Sequence, residues 1–160
     1  MKRVIVIGCP GAGKSTFARQ LEAHTGLPLY YLDMIWHRAD RATISREEFD
    51  RQLNDIMSGD CWILDGNYIR TLHERLLACD TVFFFDLPLE VCLDGAISRL
   101  GHERVDMPWV DTELDSEFRE WILNFPTEQL PQIKSMLAAC DRTVVRFVSR
   151  AEADEFIRAL

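Results

Sequence analysis

The sequence has few lysines and no stretch rich in lysine and arginine. Three of its 18 basic residues are lysines, and 26 acidic residues bring the formal net charge to −8. Nucleic acids and anionic membranes are bound mainly by clustered positive charge, so this composition argues against both. We therefore expect no direct nucleic-acid binding and no membrane binding.

Long apolar runs and metal-binding cysteine patterns are also missing. No apolar run approaches the roughly 20 residues that cross a bilayer, and the first predicted strand leads directly into a loop rather than a signal segment. The five cysteines are widely spread and contain no C-x-x-C pair that would indicate zinc. This pattern predicts a cytoplasmic protein with reduced cysteines.

What the sequence does contain is a glycine-rich loop directly after its first apolar stretch. The loop fits the pattern G-x-x-x-x-G-K-[ST], in which backbone N–H groups surround a di- or triphosphate. Lys14 then reaches the β- and γ-phosphate oxygens, and the Ser15 hydroxyl binds Mg²⁺. The alternative is a glycine turn that binds nothing. We predict an ATP·Mg²⁺ site formed by Gly8, Pro10, Gly11, Ala12, Gly13, Lys14, Ser15 and Thr16.

Strand and helix patterns alternate along the whole chain, which suits a single domain over residues 1–160. Apolar stretches predict five strands, at Arg3–Ile7, Pro28–Leu32, Cys61–Leu64, Thr81–Phe85 and Thr143–Val148. Alternation of this kind predicts an α/β fold, with a parallel sheet between two layers of helices and ligands at the carboxyl ends of the strands. The fold class is that of a P-loop NTPase.

Caps and stops mark several of the predicted helices. Ser45 with Glu48, and Ser149 with Glu152, fit the capping-box pattern. A helix with an apolar stripe that includes Trp121 is predicted to end at Pro126, because proline cannot continue the backbone hydrogen bonds. Trp121 could shape an acceptor pocket, but its position on that stripe favours a core position.

Two polar, arginine-bearing stretches interrupt the alternation, residues 33–44 and 101–112. We interpret the first as a substrate loop and the second as a lid over the site. Each carries one tryptophan, Trp36 or Trp109, with no obvious core to fill. These aromatic side chains are candidates for the wall of an acceptor pocket.

Aspartates follow three of the predicted strands. Asp65 fits the form of a second nucleotide-binding motif, an apolar run followed by a carboxylate that holds Mg²⁺; the alternative is an ordinary turn residue. Asp33 could position an attacking hydroxyl or accept its proton, or merely begin a loop. Asp86 precedes Leu87 and a proline, and we assign it a structural role.

Arginines near these loops are candidates for binding phosphate oxygens. Arg70 follows the Asp65 turn, and Arg99 and Arg104 flank the start of the lid. A guanidinium group binds two phosphate oxygens at once, and one carried by a lid delivers its charge only after closure. The alternative for each arginine is a solvated surface position.

The chain resembles the adenylate-kinase-like P-loop kinases, and among them the bacterial topology modulation proteins. The likeness extends over nearly the whole length. Beyond the glycine-rich loop, it rests on Tyr31-Leu32-Asp33, on Trp62-Ile63-Leu64-Asp65-Gly66-Asn67-Tyr68, on Phe85-Asp86-Leu87-Pro88, on Trp121 with Asn124-Phe125-Pro126, and on Ser149-Arg150.

The resemblance implies a five-stranded parallel sheet, a phosphate donor in the glycine-rich loop and a position for Arg99 near the donor base. In nucleoside monophosphate kinases, the turn equivalent to Asp65-Gly66 continues with Phe-Pro-Arg, and that arginine grips the acceptor phosphate. Here the turn continues Asn67-Tyr68-Ile69-Arg70. Arg70 could do a similar job from one residue further on.

These features together predict an ATP-dependent kinase acting on a nucleotide, a nucleoside or another small polar metabolite. Its catalytic residues would be Lys14, Asp33, Asp65, Arg70, Arg99 and Arg104, with Mg²⁺ held by Ser15 and Asp65. The alternative is a nucleotide-dependent regulatory switch with little turnover. Neither the acceptor nor the oligomeric state follows from the sequence.

Overall fold

Five parallel strands form the centre of the computed structural model, which describes residues 1–160. They lie in the order β2-β3-β1-β4-β5. The predicted α/β fold with a five-stranded parallel sheet is therefore confirmed. The strands are β1 (Arg3–Gly8), β2 (Leu29–Tyr31), β3 (Trp62–Asp65), β4 (Thr81–Phe85) and β5 (Thr143–Phe147).

Helices connect the strands, and the serine caps of both predicted capping boxes are present. The backbone N–H of Glu48 donates to the Ser45 hydroxyl at 3.1 Å, and that of Glu152 donates to the Ser149 hydroxyl at 3.3 Å. A short 3₁₀ turn at Ile69–Thr71 precedes the fourth helix. The helices are α1 (Lys14–Thr25), α2 (Leu32–Trp36), α3 (Arg46–Met57), α4 (Leu72–Ala78), α5 (Leu89–Ser98), α6 (Ser116–Glu128), α7 (Leu130–Ala139) and α8 (Arg150–Arg158).

The hydrophobic core lies along both faces of the three central strands. Residues 4–7 of β1 are fully buried, as expected for a strand covered by helices on both sides. From α1, the ring of Phe17 packs edge-on against Phe83 of β4 and Phe147 of β5, at centroid distances of 4.7 and 5.3 Å. These contacts fix α1, and hence the loop that precedes it, on the sheet.

The stretch 33–44 differs from the predicted loop. Strand β2 ends at Tyr31, and the chain enters helix α2 at Leu32, so Asp33 lies in the first turn of a helix. Leu32 is fully buried, while Ile35 and Trp36 pack against the core. Apolar residues spaced by three and four positions favour a helix, and this short stripe was the signal for it.

The predicted stop at Pro126 is also wrong. Helix α6 continues through Pro126 to Glu128, and α7 begins at Leu130. Proline removes one backbone N–H donor, but Ile122 and Phe125 are buried in the core on the same helix. Their packing carries the helix past the proline for its last turn.

Two glycines allow the glycine-rich loop to touch helix α5. A methyl group on Gly95 would overlap the carbonyl oxygen of Gly11, and one on Gly11 would overlap the carbonyl of Cys92. Gly11 also has a φ of +83°, a conformation that favours glycine. The position of the loop is therefore set by backbone-to-backbone contact.

Replacement of Gly95 by alanine tests this contact. Alanine favours a helix interior by about 1 kcal/mol over glycine, yet the overlap with Gly11 should lower the free energy of unfolding by about 1–3 kcal/mol. Urea denaturation would measure the change, with Gly59→Ala, outside any helix, as the control. An unchanged or increased stability of Gly95→Ala would contradict the close contact.

Candidate active site

The glycine-rich loop ends in a row of unpaired backbone donors at the start of α1. The first hydrogen bond of this helix runs from Phe17 N–H to Gly13 O, at 3.1 Å. The N–H groups of Gly13, Lys14, Ser15 and Thr16 donate to no protein acceptor. Free N–H groups at a helix N-terminus, with the positive end of the helix dipole, form an anion site suited to phosphate.

Lys14 is folded back over this loop. Its Nζ donates to the carbonyl oxygen of Cys9 at 3.0 Å. Burial lowers the pKa of the Lys14 ammonium group, and the negative charge of Asp65 opposes that shift. The side chain is thus held at the loop by one carbonyl oxygen, which a phosphate oxygen could replace.

Ser15 joins two carboxylates that come from distant parts of the chain. Its hydroxyl lies 2.5 Å from Asp65 Oδ2 and 3.0 Å from Asp106 Oδ2. A hydroxyl has one proton, so it donates to only one of them at a time. Asp65 ends β3, whereas Asp106 lies in the lid and was not among the predicted site residues.

Asp65 is a buried carboxylate with one unused oxygen. It is 5% exposed, and its Oδ1 atom has no hydrogen-bond partner. Burial raises the pKa of Asp65 to about 6, while Lys14 and the Ser15 hydroxyl act in the opposite direction. An unsatisfied buried oxygen of this kind is costly unless a ligand uses it.

The oxygen atoms at this point suit Mg²⁺ that arrives with a nucleotide. No group of three or more His, Cys, Asp or Glu side chains is arranged to hold a metal ion. Mg²⁺ commonly binds through one or two protein oxygens together with phosphate oxygens and water. The free Oδ1 of Asp65 and the neighbouring Ser15 hydroxyl fit that requirement.

Asn67 ties the turn after β3 to the end of β1. Its side-chain Oδ1 accepts the N–H of Gly8 at 2.9 Å, and its Nδ2 donates to the Gly8 carbonyl at 2.7 Å. Both backbone groups of Gly8 are thereby used by one side chain. The Asp65 turn and the glycine-rich loop consequently hold a fixed relation to each other.

A fully buried arginine, Arg75, binds the backbone of the same turn. Arg75 donates to the carbonyl of Gly66 at 2.9 Å, to that of Tyr68 at 3.0 Å, and to that of Asn67. Burial lowers the pKa of Arg75 to about 10, so it stays charged at neutral pH. Sequence reasoning missed it, although its place beside Leu76 on the buried face of α4 was a signal.

Tyr68 connects this turn to Asp33. Its backbone has a φ of +36°, a strained conformation for a bulky residue, and Arg75 binds its carbonyl. Its hydroxyl donates to Asp33 Oδ1 at 2.6 Å. Burial, followed by the negative charge of Asp33, raises the pKa of the Tyr68 phenol. This hydrogen bond holds the Asp33 carboxylate through Oδ1, and Tyr68 does not contact its Oδ2 atom.

Two cavities meet at the loop. The first, of about 710 Å³, is lined by Asp33, Asp65 and several aromatic residues. The second, of about 700 Å³, is lined by Gly11, Gly13 and the start of α8. We call them the acceptor cavity and the donor cavity, after the molecules that the sequence analysis predicts for them. They share five lining residues: Lys14, Ser15, Arg99, Arg104 and Asp106.

The three predicted arginines occupy different surroundings. Arg99 lines both cavities, and its buried Nε atom has no partner. Arg104 lines both as well, but it is bound to Asp106 through contacts of 2.6 and 3.2 Å. Arg70 lines only the acceptor cavity and forms a two-point ion pair with Asp50 of α3, at 2.6 and 3.0 Å.

Arg150, at the start of α8, supports the glycine-rich loop from the donor cavity. It donates to the carbonyl of Gly11 at 2.8 Å and to that of Ala12 at 3.4 Å. It also reaches the carbonyl of Val91 on α5 at 3.3 Å. Its position near the C-terminus of the chain gave no sign of this contact, which only the fold creates.

The substrate loop and the lid meet at Trp109. This indole packs edge-on against His37 at a centroid distance of 5.0 Å, and the guanidinium carbon of Arg41 lies 5.0 Å from its ring centre. Trp36 and Trp109 both line the acceptor cavity. Trp121 does so too and is 44% exposed, so its assignment to the core was wrong.

The likenesses found are in fold rather than in sequence. The shikimate kinase of Bacteroides thetaiotaomicron is 14% identical, with a TM-score of 0.65 over 99% of this chain and 95% of that one. The Acinetobacter baumannii shikimate kinase, solved with shikimate, is 18% identical, with a TM-score of 0.59 over 99% and 92%. A sugar kinase from a Janibacter species is 20% identical, with a TM-score of 0.53 over 99% and 91%.

These structures share the P-loop NTPase fold, a five-stranded parallel sheet with flanking helices, and the chain adopts that fold. No protein-family model and no curated protein sequence matches it. None of the helices has the length and apolar character needed to span a membrane.

Replacement of Arg75 by methionine tests its role in shaping the Asp65 turn. Three carbonyls would lose a buried donor, so the free energy of unfolding should fall by about 3 kcal/mol or more. Urea denaturation would measure this. The control is Arg51→Met on α3, whose ion pairs are exposed, and it should leave stability nearly unchanged. Equal effects of the two substitutions would contradict the assignment.

The buried charge of Asp65 should appear in the pH dependence of stability. Its pKa is about 6 in the folded protein against an ordinary value of 3.8, so the folded state binds the extra proton between these values. Raising the pH through this window therefore removes stability, on the order of 3 kcal/mol. The Asp65→Asn variant has no carboxyl group to ionise at this position, so it should not lose stability in this pH range.

The measurement is the difference in the free energy of unfolding between Asp65→Asn and the wild type. As the pH rises from about 4 to about 6, Asp65→Asn should become more stable relative to the wild type. Above about pH 6 the difference should stay level. Asp55→Asn, an exposed carboxylate on α3, provides the control. A difference that does not depend on pH would contradict the raised pKa of Asp65.

Proposed function

We propose that the protein is an ATP-dependent phosphotransferase that acts on a small hydroxyl-bearing molecule. The observation that carries the proposal is the meeting of two cavities of similar size at Lys14 and Ser15. One cavity surrounds the glycine-rich loop, and the other contains a held carboxylate, Asp33. A donor and an acceptor could therefore face each other across the loop.

On the donor side, the free N–H groups from Gly13 to Thr16 would bind the β- and γ-phosphates of ATP. Gly8, Pro10, Gly11 and Ala12 complete the loop around them. Lys14 would exchange its contact with the Cys9 carbonyl for a phosphate oxygen. Mg²⁺, held by Ser15 and Asp65, would neutralise charge on the phosphates when bound.

On the acceptor side, Asp33 is the candidate for orienting the attacking hydroxyl. The hydroxyl oxygen forms the new bond to the γ-phosphorus while the bond to the β–γ bridging oxygen breaks and ADP leaves. The hydroxyl proton passes to the Asp33 oxygen that Tyr68 does not use. The hydrogen bond from Tyr68 holds the carboxylate in place for this step.

Arginines would stabilise the charge on the transferred group. Arg99 has an unpartnered Nε atom at the junction of the cavities, and Arg104 stands beside it on the lid. Both are positioned to bind oxygens of the moving phosphoryl group, which needs charge neutralisation more than covalent help. Arg70 could join them only by leaving Asp50.

The similar structures support this class of reaction, since they are described as shikimate and sugar kinases. Membership of the topology modulation proteins among the adenylate-kinase-like kinases is part of the proposal and rests on the sequence resemblance alone. A cytoplasmic location fits the five free cysteines. The rival function is a nucleotide-dependent switch, in which ATP is bound but little phosphate is transferred.

An ADP-release assay coupled to NADH oxidation, run with nucleosides, nucleotides and sugar acids, tests the proposal. At least one acceptor should accelerate ADP release in the wild type. Lys14→Ala and Asp33→Asn should each reduce that rate by about 100-fold or more. Lys2→Ala, a lysine change on the exposed N-terminal segment, serves as the control.

Slow ADP release that no acceptor accelerates would favour the switch. Calorimetric titration with ATP and Mg²⁺ separates the steps, because Lys14→Ala should weaken ATP binding whereas Asp33→Asn should retain it. Loss of ATP binding in Asp33→Asn would contradict the placement of Asp33 on the acceptor side.

A further inference from the structure

The two arginines that line the acceptor cavity alone, Arg41 and Arg70, are already bound to acidic side chains. Arg70 is held by both oxygens of Asp50, at 2.6 and 3.0 Å. Arg41 lies over the Trp109 ring and 3.9 Å from Asp111. A phosphate or carboxylate on an acceptor would have to displace these partners to gain a cation.

Only one arginine of this cavity, Arg99, has a side chain that forms no hydrogen bond or ion pair. It lies where the two cavities meet. Arg99 also lines the donor cavity beside Lys14 and Ser15. In the proposed reaction, the Arg99 guanidinium group binds the phosphoryl group of the donor. The other arginine at this point, Arg104, is bound to Asp106. Beyond this shared point, no free positive charge remains for a second anion.

Acidic groups outnumber basic ones in the rest of the acceptor cavity. Away from the shared residues and Asp65, its lining carries four carboxylates, Asp33, Asp111, Glu113 and Asp115, against Arg41 and Arg70. The local potential therefore disfavours an anion even before the ion pairs are considered. A neutral molecule carries no such penalty.

Several large aromatic side chains form part of the cavity wall. Trp36, Tyr68, Trp109, Phe118 and Trp121 all line it. Aromatic side chains of this number provide faces for stacking on a planar ring.

We infer that the acceptor is an uncharged alcohol attached to a planar ring system, as in a nucleoside, and not a phosphorylated or carboxylated molecule. This inference rests on the proposed function and names the substrate class of the same site. Asp50 excludes anions by occupying Arg70, and the aromatic walls select the ring.

Matched pairs of acceptors test the charge requirement. Each of the four ribonucleosides would be compared with its 5′-monophosphate, and methyl shikimate with shikimate. Calorimetric binding in the presence of Mg²⁺ and the β,γ-imido analogue of ATP should favour the uncharged member of the preferred pair by at least tenfold. The same pair in the ADP-release assay should show the same preference in kcat/KM.

The two readouts separate the two claims. Binding that favours the neutral nucleoside without any ADP release refutes the phosphotransferase and supports only the preference of the cavity for an uncharged ring. ADP release that favours a monophosphate supports the phosphotransferase and overturns the inference. Equal or tighter binding of every anionic member, or no preference for a nucleoside over glycerol or inositol, also overturns it.

A substitution that frees Arg70 provides a second test. Asp50→Asn should raise the affinity for a nucleoside monophosphate by about tenfold, because a free guanidinium can then bind the phosphate, and should leave nucleoside binding unchanged. Asp55→Asn is the matched control: it removes the same charge from α3, but its partner Arg51 does not line the cavity. An unchanged monophosphate affinity in Asp50→Asn, with the fold intact by circular dichroism, would overturn the role of Asp50.

Discussion

The pairing of β1 with β3 is the constraint on which the rest of the site depends. In this parallel pair Val6 lies opposite Asp65, so both strands end at the same edge of the sheet. The N–H of Gly66 donates to the Val6 carbonyl at 3.1 Å, and Asn67 then binds both backbone groups of Gly8. The phosphate loop and the carboxylate turn are therefore one rigid unit, without which Ser15 and Asp65 would not meet.

The buried charged groups in and around this unit lower the stability of the fold. Asp65 and Arg75 are buried, and Lys14 and Arg99 are partly desolvated, so the fold keeps four charged groups partly or wholly away from water. Burial of charge costs stability unless other groups compensate. Carbonyls do so for the terminal nitrogens of Arg75, although its Nε atom has no partner. Asp65 Oδ1 and Arg99 Nε also have no partner, and both residues line the cavities. Such unsatisfied groups point toward a ligand, because fixed, desolvated charges act most strongly on charge that develops during a reaction.

The sequence revealed those parts of the site that are encoded locally. The phosphate loop, the strand before it and the carboxylate of Asp65 follow from short patterns in which neighbouring residues carry the signal. Asp106 and Arg150 were missed because their partners lie far away in the chain: Asp106 is 91 positions from Ser15, and Arg150 is 139 positions from Gly11. Trp121 shows the opposite failure. Its helical stripe is real, but a cavity opens where a core was expected.

The acceptor half resists prediction for the same reason, since two irregular segments build it by contacting each other. Trp109 of the lid rests between His37 and Arg41 of the substrate loop, and its indole N–H donates to Asp111 at 2.9 Å. Arg41, a basic residue of the predicted substrate loop, thus contacts the lid. Arginines that hold the segments closing a cavity are not free to bind a substrate. The selectivity of the cavity then depends on its shape and its aromatic surface. A sequence with several arginines near a site can therefore fold into a pocket that prefers a neutral molecule.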